Sequence, residues 1–275
     1  MQNGTSAEPT REIIEKWYRK LNFPQEYDAQ FRQALDTIPI QPGFTIEDYD
    51  LDCPDGKRNL LSFLYLCEGL EEQYREKGIS GEILLDTLRD IVTWTRNWTQ
   101  IRGELCLFEL AWLARILRMK LFTLGRLQFY MAPCRADLPT YGIAQGDPVM
   151  EIHIPRGGKL DPEAVEDSFV RSKAFFSRYY PDFSYPVYTC ASWLLDAGLR
   201  AYLPERSNIL AFARRFDVVG AREDDAILRF LFPWDTDREK LPGLSCSTAF
   251  TRAIKDAALG GAKFYVAMGV INARN

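Results

Sequence analysis

The chain has 275 residues, of which 47% are hydrophobic and 26% are charged, a composition typical of a globular protein with a sizeable core. Its net charge of −4 is unevenly divided. Residues 1–118 carry 14 basic and 20 acidic side chains (−6), whereas residues 119–275 carry 20 and 18 (+2). Neither part shows the clustered basic face of a nucleic-acid-binding protein, although a mildly basic second part can hold an anionic ligand.

No stretch predicts a membrane-spanning helix, because the longest apolar runs are too short or contain charged residues. The first eight residues lack the apolar core of a signal peptide. Six scattered cysteines form no C-x-x-C pair, and a single histidine gives no metal-binding pattern. We therefore expect a cytoplasmic protein with reduced thiols and no bound metal, and without nucleic-acid or membrane partners.

The first part of the chain has helical periodicity. The apolar spacing predicts helices from after Thr10 to about Leu21, from about Pro24 to Ile38, and near 58–77, 80–98 and 103–119. The helix near 103–119 is apolar nearly all round, which is typical of a central, buried helix. We predict a helical N-terminal domain covering residues 1–120.

From about Leu121 the pattern alternates, which predicts a half-buried strand that ends at Pro133. A loop follows, and then a second strand at 149–155 that can pair antiparallel with the first. The remaining pattern predicts a helix at 161–180, a strand at 186–191, a helical region at 196–216, a strand at 217–232, a helix at 247–259 and a strand at 263–271. This order indicates a second domain, residues 121–275, with a mixed α/β layer architecture.

The unit at 149–180 has the order strand, glycine loop, helix. Arg156-Gly157-Gly158-Lys159 follows the strand, and Asp161-Pro162-Glu163 offers a helix N-cap, a proline at the first helical position and an acid in the first turn. Free amides and the positive end of a helix dipole are how proteins hold phosphates. A simple turn is the alternative, and the carboxylates of Asp161 and Glu163 would repel a phosphate unless they face away.

Strand, glycine loop, helix, strand, helix, strand is an order that resembles the acetyltransferase-type (GNAT) N-acyltransferase superfamily. The segment Ser207-Asn208-Ile209 to Gly220 is similar to that superfamily's helix along the coenzyme. Ile152-His153-Ile154-Pro155, with Cys190–Leu195 and Leu203-Pro204, further resembles uncharacterised bacterial proteins with a helical N-terminal domain before a GNAT-like C-terminal domain. The resemblance implies an α+β / α/β fold, in which an all-helical domain precedes a mixed β-sheet flanked by helices.

The resemblance also implies a reaction. Acetyl-CoA or another acyl-CoA would be the co-substrate, and its acyl group would pass to a primary amine of a small molecule or peptide. A homodimer is left open. The residues that the resemblance places against the coenzyme are Ile154, Arg156, Gly157, Gly158, Lys159, Ser192, Trp193 and Asn208.

Glu151 and His153 are the candidate catalytic residues. Alternation along a strand places them on one face, where either could take the proton of the acceptor amine, directly or through water. A strand amide would polarise the thioester carbonyl. The structural alternative is a surface Glu–His pair or a hydrogen-bonded histidine without a catalytic role.

Three departures from the related patterns favour other functions. Lys159 stands where the phosphate loop of the superfamily has a glycine, Arg215 where it often has a general-acid tyrosine, and Ala191 where members of the family carry histidine. A non-catalytic module that binds CoA or a protein partner is therefore the alternative. A third hypothesis, a cysteine-dependent acyl carrier or hydrolase built on Cys190, has no evident base in the sequence.

Overall fold

The structure is a computed structural model and describes residues 7–273. The first eight residues, where no signal peptide is predicted, therefore lie mostly outside the described residues. The chain divides by internal contacts into two compact units, Met1–Phe122 and Thr123–Asn275. Within the described residues, none of the helices combines the length and apolar character needed to cross a bilayer.

The N-terminal unit is helical. Its helices are α1 (Ala7–Lys20), α2 (Asp28–Thr37), α3 (Gly56–Glu76), α4 (Gly81–Arg102) and α5 (Leu110–Leu117). The Asp55 side chain caps α3 by accepting from the amides of its first turn, and Ser80 caps α4 in the same way. Gly103 ends α4 in the left-handed conformation (φ 73°), which glycine adopts without steric cost.

The core of this unit forms where α1 packs on α3. Trp17 is completely buried, and its indole Nε1 donates a 2.8 Å hydrogen bond to Glu68 Oε2 on α3. Lys16 contacts the same carboxylate at 2.8 Å, so the polar end of the buried ring is satisfied at the rim of the core. The helix predicted to begin after Thr10 begins at Ala7, and Thr10 is a buried residue within it.

The predicted helix over 103–119 is wrong in its first half, since only Leu110–Leu117 is helical. The preceding residues bond elsewhere. The Leu105 amide donates to the Gln30 side chain at 2.7 Å, and the Leu107 amide donates to the Gly56 carbonyl at 3.0 Å. A run that is apolar at every position shows no period, so the sequence could not separate a buried extended segment from a buried helix.

The C-terminal unit is built on a six-stranded mixed sheet of order β1-β2-β3-β4-β6-β5. The strands are β1 (Leu121–Leu124), β2 (Leu127–Pro133), β3 (Pro148–His153), β4 (Val187–Ser192), β5 (Asp217–Glu223) and β6 (Tyr265–Asn272). The helices are α6 (Pro162–Tyr179), α7 (Asn208–Ala213), α8 (Ala226–Leu231) and α9 (Ala249–Leu259). The β2–β3 pair is antiparallel, as predicted, and β3 and β4 are parallel neighbours joined through α6.

Three predictions for this unit need correction. The strand predicted to start at Leu121 is a hairpin, because Gly125 (φ 75°) turns the chain between β1 and β2. The strand predicted at 217–232 ends at Glu223, and α8 begins at Ala226, whose amide donates to the Asp224 side chain. The helical region predicted at 196–216 contains a 3₁₀ turn and only one short helix, α7.

The two faces of the sheet are covered differently. Helix α6 packs on one face, where the Phe169 ring lies 5.2 Å from that of Tyr188 and 6.1 Å from that of Phe129. On the other face, the loop at 134–147 places Leu138 and Ile143 over an apolar cluster with Val149, Val187 and Val270. This loop covers the beginning of β3 and the end of β6, and the polar residues near the end of β3 belong to the same face.

Candidate active site

The central feature of the site is the separation of β3 from β4. The two strands are paired only at Met150–Tyr188 and Glu151–Thr189. The outer pairs continue further, since β2 follows β3 to His153 and β6 follows β4 to Ser192. Beyond Glu151 the facing backbone edges of the two parallel strands therefore no longer satisfy each other, and they offer main-chain donors and acceptors to a ligand.

Arg126 organises the glycine loop that follows β3. It lies in the β1–β2 turn, and its guanidinium donates to the carbonyls of Pro155 (3.1 Å), Gly158 (3.3 Å) and Lys159 (3.0 Å). Its amide donates to Ser168 Oγ on α6 at 2.7 Å. Burial without a carboxylate partner lowers the pKa of this guanidinium, although arginine stays protonated in proteins. Arg126 thus fixes the loop between a hairpin turn and a helix.

The loop amides are left for another partner. Gly157 (φ 90°) and Gly158 (φ 71°) both adopt positive φ, while the loop carbonyls point at Arg126. Within residues 7–273, the amides of Gly157, Gly158 and Lys159 donate no hydrogen bond to the protein. The amide of Glu163, by contrast, is already satisfied by the Asp161 cap. Consecutive free amides after a glycine turn are an anion-binding arrangement.

The two basic side chains predicted to lie against the coenzyme, Arg156 and Lys159, differ from each other in their surroundings. The Arg156 guanidinium donates to the carbonyls of Phe230 (3.4 Å) and Phe232 (3.1 Å) at the end of α8. It therefore ties the loop to α8 rather than extending from it. Lys159 is exposed, next to the free amides, and Ile154 is half-buried directly after β3. Their contact with a coenzyme stays a prediction.

The candidate catalytic residues lie together on one face of β3. His153 Nε2 is 3.2 Å from Glu151 Oε1, as the predicted alternation requires. Glu151 is 8% exposed at its side chain, and Arg135 Nη2 donates to both of its oxygens, at 3.0 and 3.2 Å. The register places Tyr130 of β2 directly opposite Glu151. The face beside the separated strands thus carries a buried carboxylate held by a guanidinium and adjoining an imidazole.

The residues predicted on and after β4 have structural contacts of their own. The Ser192 hydroxyl accepts from the Leu194 amide and caps the 3₁₀ turn that ends β4. Trp193 is buried, with its ring 6.1 Å from that of Phe230. Asn208 is the first residue of α7 and is half-buried, and Ser207 provides the N-cap of this helix. Coenzyme contacts of these residues remain predictions.

The structure shows the surroundings of the residues that depart from the related patterns and of the alternative nucleophile, Cys190. Arg215, which stands where the superfamily often has a general-acid tyrosine, forms an ion pair with Glu166 at 2.7 Å. Ala191 is exposed at the end of β4. Cys190 is completely buried, and burial raises the pKa of its thiol far above the ordinary value. A thiol that stays protonated at neutral pH is a poor nucleophile, so the structure argues against the cysteine-dependent hypothesis.

Arg126 and Arg135 are absent from the sequence-based prediction of the site. Both act over a distance in sequence, since Arg126 reaches carbonyls about 30 residues later and Arg135 reaches a carboxylate 16 residues later. No local motif marks either of them. The only signal in the sequence was their position next to a predicted strand. Arg126 directly follows Gly125, and Arg135 lies two residues after Pro133.

A mixed sheet whose central parallel strands separate, with a glycine loop after one of them and a helix behind it, defines an acetyltransferase-type (GNAT) fold. Residues 121–271 match the GNAT-like C-terminal domain, and residues 7–119 match the N-acyltransferase N-terminal domain. The chain belongs to this GNAT-like N-acyltransferase family.

Solved structures with the same fold are acyltransferases. A mutant acyltransferase in complex with octanoyl-CoA superposes with a TM-score of 0.77 at 23% identity, over 95% of this chain and 88% of that chain. An acyltransferase in complex with decanoyl-CoA and teicoplanin gives 0.74 at 23% identity, over the same shares. A third, in complex with decanoyl-CoA, gives 0.69 at 24% identity, over 98% and 80%. No curated protein matches the chain.

Proposed function

We propose that this protein transfers an acyl group from acyl-CoA to a primary amine. The observation that carries the proposal is the separation of β3 from β4 after Glu151, with free loop amides at one end and the Glu151–His153 pair beside it. Acyl-CoA supplies the acyl group as a thioester. The reaction forms a C–N bond, breaks the C–S bond and yields an amide and a free thiol.

The loop supports the choice of a diphosphate-bearing co-substrate. The amides of Gly157, Gly158 and Lys159 and the Lys159 ammonium together can neutralise an anion, and Arg126 keeps the competing carbonyls turned away. The strand edges beyond the last β3–β4 pair suit an extended chain that carries amide groups, because such a chain can hydrogen-bond as an additional strand. A pantetheine arm attached to a pyrophosphate has both features.

We assign different roles to the two catalytic candidates. Glu151 is paired with Arg135, whose guanidinium compensates the charge of the buried carboxylate. Its carboxylate lies 3.2 Å from His153 Nε2, where its charge can stabilise a protonated imidazole. His153 would take the proton that the attacking amine loses, and Glu151 would stabilise the imidazolium that forms.

The identity of the acyl group and acceptor is part of the proposal. Since the structural relatives bind octanoyl-CoA and decanoyl-CoA, we propose that chains of up to ten carbons are tested beside acetyl-CoA. One relative also binds teicoplanin, so the acceptor panel should include glycopeptide and peptide amines as well as small primary amines. We further propose a cytoplasmic location and the domain division 1–120 and 121–275.

The non-catalytic alternative is favoured by Ala191 and Arg215, because two family positions for proton transfer lack a titrating side chain at neutral pH. Thermal denaturation with CoA, acetyl-CoA, octanoyl-CoA and decanoyl-CoA tests binding, which both functions require, since a ligand bound only by the folded state raises the Tm. An unchanged Tm at millimolar concentrations of all four, in a folded sample, would refute both.

Thioester consumption in the presence of the amine panel then separates the two functions. We expect His153→Gln to lower kcat by about 10²- to 10⁴-fold, the range for loss of a general base. Glu151→Gln should lower kcat less, because it removes the charge that stabilises the imidazolium but leaves the imidazole itself in place. Glu12→Gln, an exposed change on α1, is the matched control. Turnover that survives His153→Gln would contradict the assigned role, and CoA binding without any turnover would establish the alternative.

A further inference from the structure

A cavity of about 390 Å³ lies within the N-terminal unit, apart from every residue assigned to acyl transfer. Its floor is the first two turns of α3, and its wall is the loop between α2 and α3. Both elements belong to the unit Met1–Phe122. The volume falls in the range of pockets that bind small molecules.

The floor contains two polar side chains of almost fully buried residues. Asn59 and Ser62, 2% and 4% exposed, lie one turn apart and both line the cavity. The Asn59 Nδ2 group donates to the carbonyls of Cys53 (3.0 Å) and Leu107 (2.9 Å), which fixes Oδ1 as an acceptor. Neither Asn59 Oδ1 nor Ser62 Oγ forms a hydrogen bond among the described residues, and neither is an enclosed atom, so both are open to the cavity. An amide oxygen can only accept and a hydroxyl can also accept, so this floor is suited to a ligand that donates.

The charges at the cavity favour a cation. Asp48 and Asp50 line it, and a hydrogen bond from the Thr45 amide lowers the pKa of the Asp48 carboxyl, which is therefore ionised at neutral pH. The one basic side chain among the lining residues, Arg58, donates to the Pro39 carbonyl at 3.2 Å and lies 3.9 Å from Asp55. Its charge is thus already offset, and the lining keeps an excess of negative charge.

The remaining lining is apolar and aromatic. Phe44 and Tyr49 meet edge to face, with ring centroids 6.4 Å apart, and Tyr49 packs in turn against Phe63 at 6.1 Å. The Tyr49 ring is buried and held by these contacts. Aromatic faces attract organic cations and also accommodate an apolar body.

We propose that this cavity is a binding site for a small organic ammonium ion with an aromatic or aliphatic body. The ammonium would donate to Ser62 Oγ and Asn59 Oδ1 near the aspartates, and the apolar body would lie against Phe44 and Tyr49. The proposal does not rest on acyl transfer, because binding is measured without acyl-CoA.

Cysteine protection gives a direct test, with 2-phenylethylamine as the probe. Cys53 lines the cavity and is partly exposed, whereas Cys246, also partly exposed, lies in the C-terminal unit. We expect 2-phenylethylamine to slow alkylation of Cys53 by iodoacetamide and to leave Cys246 unaffected. Phenylacetate, of similar shape and opposite charge, should protect neither. Equal protection by both probes, or no protection at 10-fold molar excess over millimolar protein, would overturn the proposal.

Two variants locate the ligand. Ser62→Ala should weaken 2-phenylethylamine binding by about fivefold, the typical value of one hydrogen bond, with little effect on the fold. Asp50→Asn keeps the acceptor for the Asp52 amide (3.0 Å) but removes a charge, and should also weaken binding. Asp52→Asn removes a charge from the same loop at a position that does not line the cavity, so it should bind as the unmodified protein does. Equal losses in Asp50→Asn and Asp52→Asn, or none in Ser62→Ala, would refute the assignment.

Discussion

The arrangement of the glycine loop by Arg126 makes a quantitative prediction about coenzyme binding. Arg126→Met preserves much of the side-chain volume but removes the hydrogen bonds to the carbonyls of Pro155, Gly158 and Lys159. Two of these bonds are solvent-exposed, so water can replace them in the variant. We therefore count the three together at about 1.5–2 kcal/mol, below the sum for three buried charge-assisted bonds.

That energy stabilises the loop conformation in which the amides are free and the carbonyls are turned away. In the variant, this energy must come from the free energy of CoA binding. The Kd for CoA should therefore rise by more than about tenfold, since 1.4 kcal/mol corresponds to tenfold. Isothermal titration calorimetry with CoA measures this, and circular dichroism confirms that the variant is folded. Arg171→Met is the matched control, because Arg171 is an exposed neighbour on α6 that pairs with Asp167.

A second variant separates loop shaping from direct contact with the phosphates. Lysine keeps the charge of Arg126 but cannot reach three carbonyls at once, because it lacks the planar fork of donors. We expect Arg126→Lys to bind CoA nearly as weakly as Arg126→Met. Full recovery of affinity by lysine would show that charge alone matters, and an unchanged Kd in Arg126→Met would refute the positioning role altogether.

Two further predictions concern the fold. Gly56→Ala should destabilise the N-terminal unit by about 2 kcal/mol or more, because the new Cβ would lie 2.4 Å from Cys106 Cβ. Gly69→Ala in the same helix meets no atom within 4 Å and should be neutral or stabilising. Urea denaturation compares the free energies of unfolding of the two variants, and equal effects would contradict the packing. In native protein at neutral pH, only Cys53 and Cys246 should react rapidly with a thiol reagent, while all six react in denaturant; rapid native labelling of a third thiol would show that a buried cysteine is accessible.

The sequence predicts those features of the fold that local signals determine. Asp161 and Pro162 start α6 as their positions predict, because capping and a preset φ act within one turn. The segment before α5 could not be predicted, since the partners of its backbone amides, Gln30 and the Gly56 carbonyl, are remote in sequence. Periodicity reports which residues are buried, and it leaves the conformation of a uniformly apolar run undetermined.

The candidate site shows the same division between local and remote information. Alternation along β3 is local, so the sequence alone brings Glu151 and His153 to one face, and the structure places them 3.2 Å apart. What distinguishes their roles is not local. Arg135 lies beyond the end of β2, and its contact with both oxygens of Glu151 depends on the antiparallel register of β2 and β3.

That contact is the basis for the different roles that we propose for the two residues. Without Arg135, a buried carboxylate next to an imidazole could itself take a proton, since burial disfavours its charged form. With Arg135 at 3.0 Å, the charged form is compensated, and the carboxylate is suited to stabilise a protonated His153. We therefore propose His153 as the proton acceptor, since its imidazole is 23% exposed and can meet an amine that approaches from solvent.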